Sequence, residues 1–279
     1  MDLSVENVRE ESAAAWIMSR DLKRACSTLG RREARYLVSM YYRMQRDRIR
    51  DAHQVRAAEE HAEPHAALEW LQDRHETLEA QIKRALGYYA EGHEVGRWML
   101  SIVGIGPVIA AGMLAHIDIT KAPTVGHIWR FAGLDPTLKW EKGQKRPWNA
   151  ELKTLCWKLG ESFVKSSGHE SSFYGPIYAA RKRLETERNE AGAFAEQAAA
   201  SLAAKRYRAD TVARKAYEEG RLPAARIHLR ATRYAVKLFL SHLHHVWYEM
   251  EFRMPPPKPF VISHMGHVDY IPPPNWPMV

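Results

Sequence analysis

A chain of 279 residues with 46% hydrophobic side chains holds enough apolar material for one large domain or two smaller ones, which excludes a disordered polymer. Lysine and arginine number 41 against 33 acidic residues, so the net charge is +8 and the pI near 9.4, a balance that favours a polyanionic partner. No apolar run approaches the roughly 20 residues needed to cross a bilayer, the start of the chain (Asp2, Glu6, Arg9, Glu10, Glu11) does not read as a signal peptide, and Cys26 and Cys156, without metal spacing, fit buried thiols in a reducing, cytoplasmic setting.

In chain order the pattern is helical almost throughout. Val5 to Leu29 is rich in helix formers, with Gly30 placed as its C-cap. Arg31 to Glu60 comes next, with Tyr36, Leu37, Met40, Tyr41 and Met44 forming one apolar face. Arg31, Arg32, Arg35, Arg43, Arg46, Arg48 and Arg50 line the other, either as a solvated face or as contacts to a nucleic-acid backbone. Pro64 breaks the chain. Leu68, Leu71, His75, Leu78, Ile82, Ala85 and Tyr89 then alternate steps of three and four, a coiled-coil seam that packs on its own neighbour or on a second subunit. A homodimer or higher oligomer through these helices is the expected assembly, and His75 reads as a packing compromise rather than a ligand.

Leu100 to Ala111 is the stretch around which the rest of the chain is arranged. Gly104 and Gly106 flank Ile105, and Pro107 starts a new apolar run. Two glycines supply a tight turn, and proline suits the first position of the next helix. This is the string of a helix-hairpin-helix DNA-binding element. Bare backbone at Gly104 and Gly106 lets a phosphate approach the amides that open the second helix, while Ile105 and Val108 anchor the turn. An ordinary helix-helix turn with two convenient glycines would give the same letters.

Val108 to Ile117 reads as an apolar helix, Asp118 to Pro123 as a loop carrying Lys121, and Thr124 as the cap of a short helix, Val125 to Phe131, which stops at Ala-Gly-Leu-Asp-Pro (Ala132 to Pro136). A Gly-x-Gly-Pro hairpin, an apolar helix, an acidic loop, a short aromatic helix and Ala-Gly-Leu-x-Pro, in that order, resemble the C-terminal domain of the bridge-RNA-guided insertion-sequence transposases, the IS-one-ten family. The resemblance covers roughly Leu68 to Val164, since a helical coiled coil precedes the domain in that family too. It implies a DNA-recombining protein of a mobile element.

Two features of that family are missing. Its N-terminal RNase H-like domain, which binds metal through four acidic residues, needs strands alternating with helices, and residues 1–90 read as helix. Its nucleophilic serine lies shortly after the Gly-Leu-x-Pro element. Thr137 to Trp148 contains no serine here, Glu141 or Lys142 stands about where one is sought, and Thr137 lies next to the turn. The catalytic residues are therefore unknown, and strand transfer by this chain alone is not expected. The same stretch is basic, with Lys139, Lys142, Lys145 and Arg146 interleaved with Trp140 and Trp148, which suits phosphate contact and base stacking. It equally suits a solvated loop with two docked tryptophans.

Asn149 to Lys165 is a further helix, with Leu152, Leu155, Cys156, Leu159 and Phe163 on one face. The serines after it (Ser166, Ser167, Ser171, Ser172), near His169 and Glu170, are turn formers or, less simply, a nucleophile and base. Ala179 to Ala216 reads as one long charged helix or a pair, Gly220 to Pro223 as a break, and Ala224 to Phe252 as a strongly periodic helix. His242, His245, His264 and His267 are weak candidates for a divalent metal. The Pro-rich tail, with Phe260, Tyr270, Ile271 and Trp276, reads as an extended arm on the body or a partner.

The expected protein is all-α: a tandem helix-hairpin-helix core, long coiled-coil-like flanking helices and a Pro-rich tail. Its expected divisions are residues 1–90, 91–173, 174–253 and 254–279. DNA is the expected partner, with RNA as the alternative, no membrane and no required cofactor. The contacts fall on Gly104, Ile105, Gly106, Val108, Lys121, Gly133, Lys139, Lys142, Lys145 and Arg146. A helical structural or assembly protein, an RNA-binding partner of a recombinase, and a recombinase with an unrecognised nucleophile are the competing classes.

Overall fold

The computed structural model describes residues 17–62, 65–257 and 270–278. Among the described residues there are eleven α-helices, two 3-10 turns and no strand, as an all-α fold requires. None of these helices is long and apolar enough to cross a membrane. The chain divides into two compact units: Met1–Leu100 with Gly106–Asp118, and Ser101–Ile105 with Ile119–Val279.

The first unit contains α1 (Arg20–Ala25), a 3-10 turn (Cys26–Thr28), α2 (Arg31–Glu60), α3 (Ala66–Glu91), α4 (Glu94–Leu100) and α5 (Pro107–His116). Of the helix expected over Val5 to Leu29, only the part from Ile17 lies within the described residues; there Arg20–Ala25 is a short helix and Cys26–Thr28 a turn, and Pro64 lies outside the described residues. Gly30 does not close that helix. It opens α2, in extended backbone, and its N–H donates to the Glu33 carboxylate at 2.7 Å. A carboxylate three residues on is better placed to satisfy an N-terminal amide than a C-terminal carbonyl.

Helices α2 and α3 pack along each other. The buried stripe of α2 is Ala34, Val38 and Met44, displaced from the expected face: Tyr36 is 64% exposed, and Leu37, Met40 and Tyr41 are half-buried. On α3 the lower seam is closed by Ala85, Leu86 and Tyr89, whereas Leu71 is exposed and Leu68, Leu78 and Ile82 are half-buried. Polar bonds hold the upper part. Arg48 Nε donates to Glu79 Oε2 at 2.5 Å and Gln45 Nε2 to Glu79 Oε1 at 3.2 Å, while His75 Nδ1 meets Asp51 Oδ2 at 2.5 Å. His75 is thus the donor for a buried carboxylate and fixes the register of the pair. Helix α5 is apolar all round and buried against α2 and α3, as such a composition demands.

The second unit contains a 3-10 turn (Ile119–Lys121), α6 (Val125–Phe131), α7 (Ala150–Lys165), α8 (Tyr174–Glu190), α9 (Ala195–Ala204), α10 (Val212–Glu218) and α11 (Ala224–Phe252). The long charged helix or pair of helices expected over Ala179 to Ala216 is three helices. The alanine-rich stretch folds back because Phe194 and Ala198 reach Tyr217, Leu222 and Ile227, forming a small core of their own. Buried Glu185 accepts from Arg181 at 2.5 Å and Arg230 at 2.7 Å, and the two guanidiniums hold its carboxyl below the usual range against the opposing effect of burial.

The main core of this unit lies where α7 and α8 meet α11. Phe163 stacks on Tyr174 with centroids 4.5 Å apart, and Phe239 meets both edge-on. Gly160 lets α7 and α11 approach so closely that a Cβ there would lie 2.4 Å from Thr232 Cγ2. Gly160→Val is expected to cost about 2 kcal/mol of stability or more, read as a lower urea midpoint in circular dichroism; an unchanged midpoint would contradict this packing. The tail residues of the described part lie on the same unit. Trp276 Nε1 donates to Glu249 at 2.7 Å and Asn275 Nδ2 to the Ser101 carbonyl at 3.0 Å, so the arm is ordered on the body from Tyr270; Phe260 is outside the described residues.

Candidate nucleic-acid interface

Helix α4 ends at Leu100, and the Ile105 amide donates to the Ile102 carbonyl at 3.0 Å, closing the hairpin turn. Gly104 has φ +96°, a conformation glycine adopts without strain. Its carbonyl accepts from Ser162 Oγ at 2.5 Å, and a Cβ on it would press within 2.8 Å of Ser166 Oγ. Gly104 therefore shapes the turn and faces protein. Gly106 differs. It is exposed, nothing lies within 4 Å of where its Cβ would be, and it caps α5 with Pro107 as the first helical residue. The amides of Ile109 and Ala110 donate to the Gly106 carbonyl. Those of Gly106 and Val108 find no acceptor among the described residues and point out of the start of a ten-residue helix. Ile105 and Val108 are buried, the anchors the sequence leads one to expect.

Gly133 works at the opposite kind of helix end. Its φ is +66°, its amide donates to the Arg130 carbonyl at 3.1 Å, and the Leu134 amide donates to the Trp129 carbonyl at 2.8 Å. This is a Schellman stop at the end of α6. The Gly133 amide is spent inside the turn, and no helix starts until Ala150. Asp135 accepts from the Thr137 amide at 2.9 Å and its hydroxyl at 2.7 Å, bonds that pull its carboxyl below the usual range.

The stretch from Thr137 to Trp148 is irregular and built around its two tryptophans. Trp140 and Trp148 meet edge-on with centroids 6.5 Å apart, and Trp140 Nε1 donates to the Gln144 carbonyl at 2.8 Å. Arg146 lies over the Trp140 ring at 5.3 Å, and Lys153 of α7 over the Trp148 ring at 4.0 Å. Lys139, Lys142, Lys145 and Arg146 are all exposed. Lys121 is exposed at the end of the 3-10 turn, which is tied down by the bond from His244 Nε2 to the Ala122 carbonyl at 2.8 Å. Of the ten candidate residues, Gly106 and Val108 belong to the first unit and the other eight to the second.

Residues 96–144 match the model of the Transposase IS116/IS110/IS902 family. A transposase-related segment therefore lies in this chain, as the two glycine motifs led one to expect. The match covers less than half of the sequence. It runs from α4 through both turns into the basic stretch and ends before Lys145 and Arg146. Searches of curated proteins and of solved structures give no match to the chain.

The side chains considered for catalysis are engaged locally. Ser166 and Ser167 donate to the Phe163 and Val164 carbonyls one turn back, and His169 Nδ1 accepts from the Ser171 amide. Thr137 donates to Asp135. Neither serine hydroxyl is paired with a base; the Thr137 hydroxyl is paired with the Asp135 carboxylate, which also accepts from the Thr137 amide in a local turn. The histidine cluster is also accounted for in part. His242 accepts from Tyr174 Oη at Nδ1 (2.7 Å) and donates from Nε2 to the Ile271 carbonyl (2.9 Å), so neither nitrogen is left for a metal. His245 meets Glu249 at 3.1 Å, and His264 and His267 lie outside the described residues. His242 ties the tail to the core.

Three cations escape a reading of the sequence as a group. Lys153 on α7 and Arg233 and Lys237 on α11 converge near the Gly133–Pro136 turn. The i, i+4 spacing of Arg233 and Lys237 is visible in the letters, but nothing in them brings α7 alongside.

Proposed function

We propose that this chain is a DNA-binding protein of a mobile element or phage, related to transposases, that grips the phosphate backbone with little reading of base sequence. The observation that carries this is Gly106. It is open to solvent, it starts a helix whose first amides lack acceptors, and it sits within the segment matched to transposases. The exposed cations Lys121, Lys139, Lys142, Lys145 and Arg146 supply the long-range attraction. Gly104, Ile105, Val108 and Gly133 hold the two turns in shape. We assign no strand-transfer chemistry to the chain alone. For self-association we propose the long helices, on the support that Ile49 of α2 and Trp70 and Leu71 of α3 leave apolar surface exposed.

The test is fluorescence anisotropy of a labelled duplex, titrated across a salt series. Wild type is expected to bind more weakly as salt rises. Gly106→Glu sets a carboxylate where a phosphate would sit and is expected to weaken binding about tenfold at low salt, with the melting temperature unchanged because the site is open. No duplex binding together with salt-insensitive self-association would replace this reading by that of a structural assembly protein. Tighter binding of RNA than of DNA would move the partner to RNA.

A further inference from the structure

A cleft of about 330 Å³ opens in the second unit beside the Ala-Gly-Leu-Asp-Pro element. One wall is the Gly133–Pro136 turn. The other is Lys153 and Trp157 of α7 with Arg233 of α11, over a floor that includes Cys156 and Val236. The Schellman stop forms the first wall, and the Gly160 contact sets the distance between the helices that form the second.

Lys153 and Arg233 line the cleft, and Lys237, one turn along α11 from Arg233, lies beside its lining near Asp135. Lys153, Arg233 and Lys237 make no ion pair among the described residues; Lys153 and Lys237 lie 4.0 Å over the rings of Trp148 and Trp129. Asp135 is the carboxylate in the lining, and it is already held by Thr137. Burial pushes the two lysines and Arg233 below their usual ranges. Neighbouring cations add to it, Arg233 and Arg146 for Lys153 and Arg230 and Arg226 for Arg233; at Lys237 the Asp135 carboxylate acts in the other direction and Arg233 adds a smaller lowering. Cations brought together against their mutual repulsion are relieved by an anion. Trp157 adds a different feature. It is 51% exposed on the cleft wall although Cys156 and Leu155 beside it are buried, and Lys158 Nζ lies 5.3 Å over its ring, so the indole is an exposed aromatic already beside a cation.

Cations next to an exposed indole, in a cleft of this size, match the two halves of a nucleotide. We propose that this cleft receives one unpaired nucleotide of a bound strand, its phosphate among Lys153, Arg233 and Lys237 and its base against Trp157. This rests on the reading that the chain binds nucleic acid, but it assigns the contact to residues other than the hairpin amides. It also gives α11 a role: two of the three cations come from it, outside the segment that resembles transposases.

The test compares two labelled DNA duplexes, alike except that one carries a single extrahelical thymidine, on the full-length protein. The bulged duplex is expected to bind about tenfold more tightly. Trp157→Ala and Lys153→Gln, both at exposed positions, are expected to abolish that preference while leaving affinity for the intact duplex within about twofold. Equal affinities of wild type for the two duplexes, or a preference that survives both substitutions, would overturn the proposal. Calorimetric titration with thymidine monophosphate separates the two readings. Saturable binding lost in Trp157→Ala, with no duplex binding, would keep the cleft and remove the backbone-gripping function; no binding of either probe would remove both.

Discussion

Replacing Lys139, Lys142, Lys145 and Arg146 together by glutamine is expected to weaken duplex binding on the order of 10²-fold at moderate salt. The plot of log affinity against log salt should flatten by up to about 3.6, at about 0.9 per phosphate contact removed. The four side chains are exposed, so little folding energy is at stake in their removal. Their backbone is held by other groups: Trp140 against Trp148, the bond from Trp140 to Gln144, and Asn149 capping α7 through its bond from the Leu152 amide at 2.9 Å. Thermal unfolding of the variant should therefore superimpose on that of the wild type. A slope unchanged within error would mean that this loop is solvated surface and that the cations contacting phosphate lie elsewhere. Gly106→Glu acts differently, through a local carboxylate at one helix start, so the two variants together separate field from contact.

Acidification is expected to destabilise the second unit well before its carboxylates titrate. His242 is buried between Tyr174 and the Ile271 carbonyl, and burial, aided by the neighbouring His245, lowers it from 6.5 to about 4 even though the carbonyl bond acts in the other direction. Burial lowers His244 as well. Because the folded value lies below the unfolded one, the unfolded chain takes up the proton first as pH falls. The stability is complete above about pH 6.5 and is lost progressively down to about 4. A gap of roughly 2.5 pH units at about 1.4 kcal/mol each gives a loss of about 3 kcal/mol. Urea unfolding at several pH values between 7 and 4.5 measures this directly. His242→Gln should be less stable than wild type at pH 7 and show a flatter pH dependence; a wild-type curve level across that range would show that His242 does not limit stability in acid. Protonation turns Nδ1 into a donor and so breaks the bond from Tyr174 Oη, while Nε2 keeps its bond to the Ile271 carbonyl; the loss falls in the core rather than on the tail.

Much of the local structure was legible because its causes are local. Arg31 to Glu60, Val125 to Phe131 and Ala224 to Phe252 are helices over the residues that periodicity marks out, and Asn149 and Pro107 stand at the helix starts their chemistry prefers. The two glycine turns also carried their own signature, which is why the resemblance to transposases could be read in the letters and is matched over residues 96–144. Both cysteines are buried, and desolvation lifts Cys156 to about 12, as expected of an inert thiol.

Other features depended on partners far away in sequence. Periodicity gives the width of an apolar stripe but not the rotation of the helix about its axis; packing on α3 and α5 turned α2 so that Ala34 and Val38, not Tyr36, faced inward. The alanine-rich stretch after Glu190 gave no sign that it would fold back, because that depended on Tyr217 and Leu222 arriving from further along. Equally, Gly104 and Gly106 are the same letter, yet the first lies against Ser162 and Ser166 and the second is open. What the chain determined by itself were its helices, its stops and its positive charge, since these arise from propensity, capping and composition within a few residues. Which amides stayed bare, which histidine nitrogens were used up, and which cations met beside Trp157 were decided by tertiary packing, because each depends on what a distant segment covers.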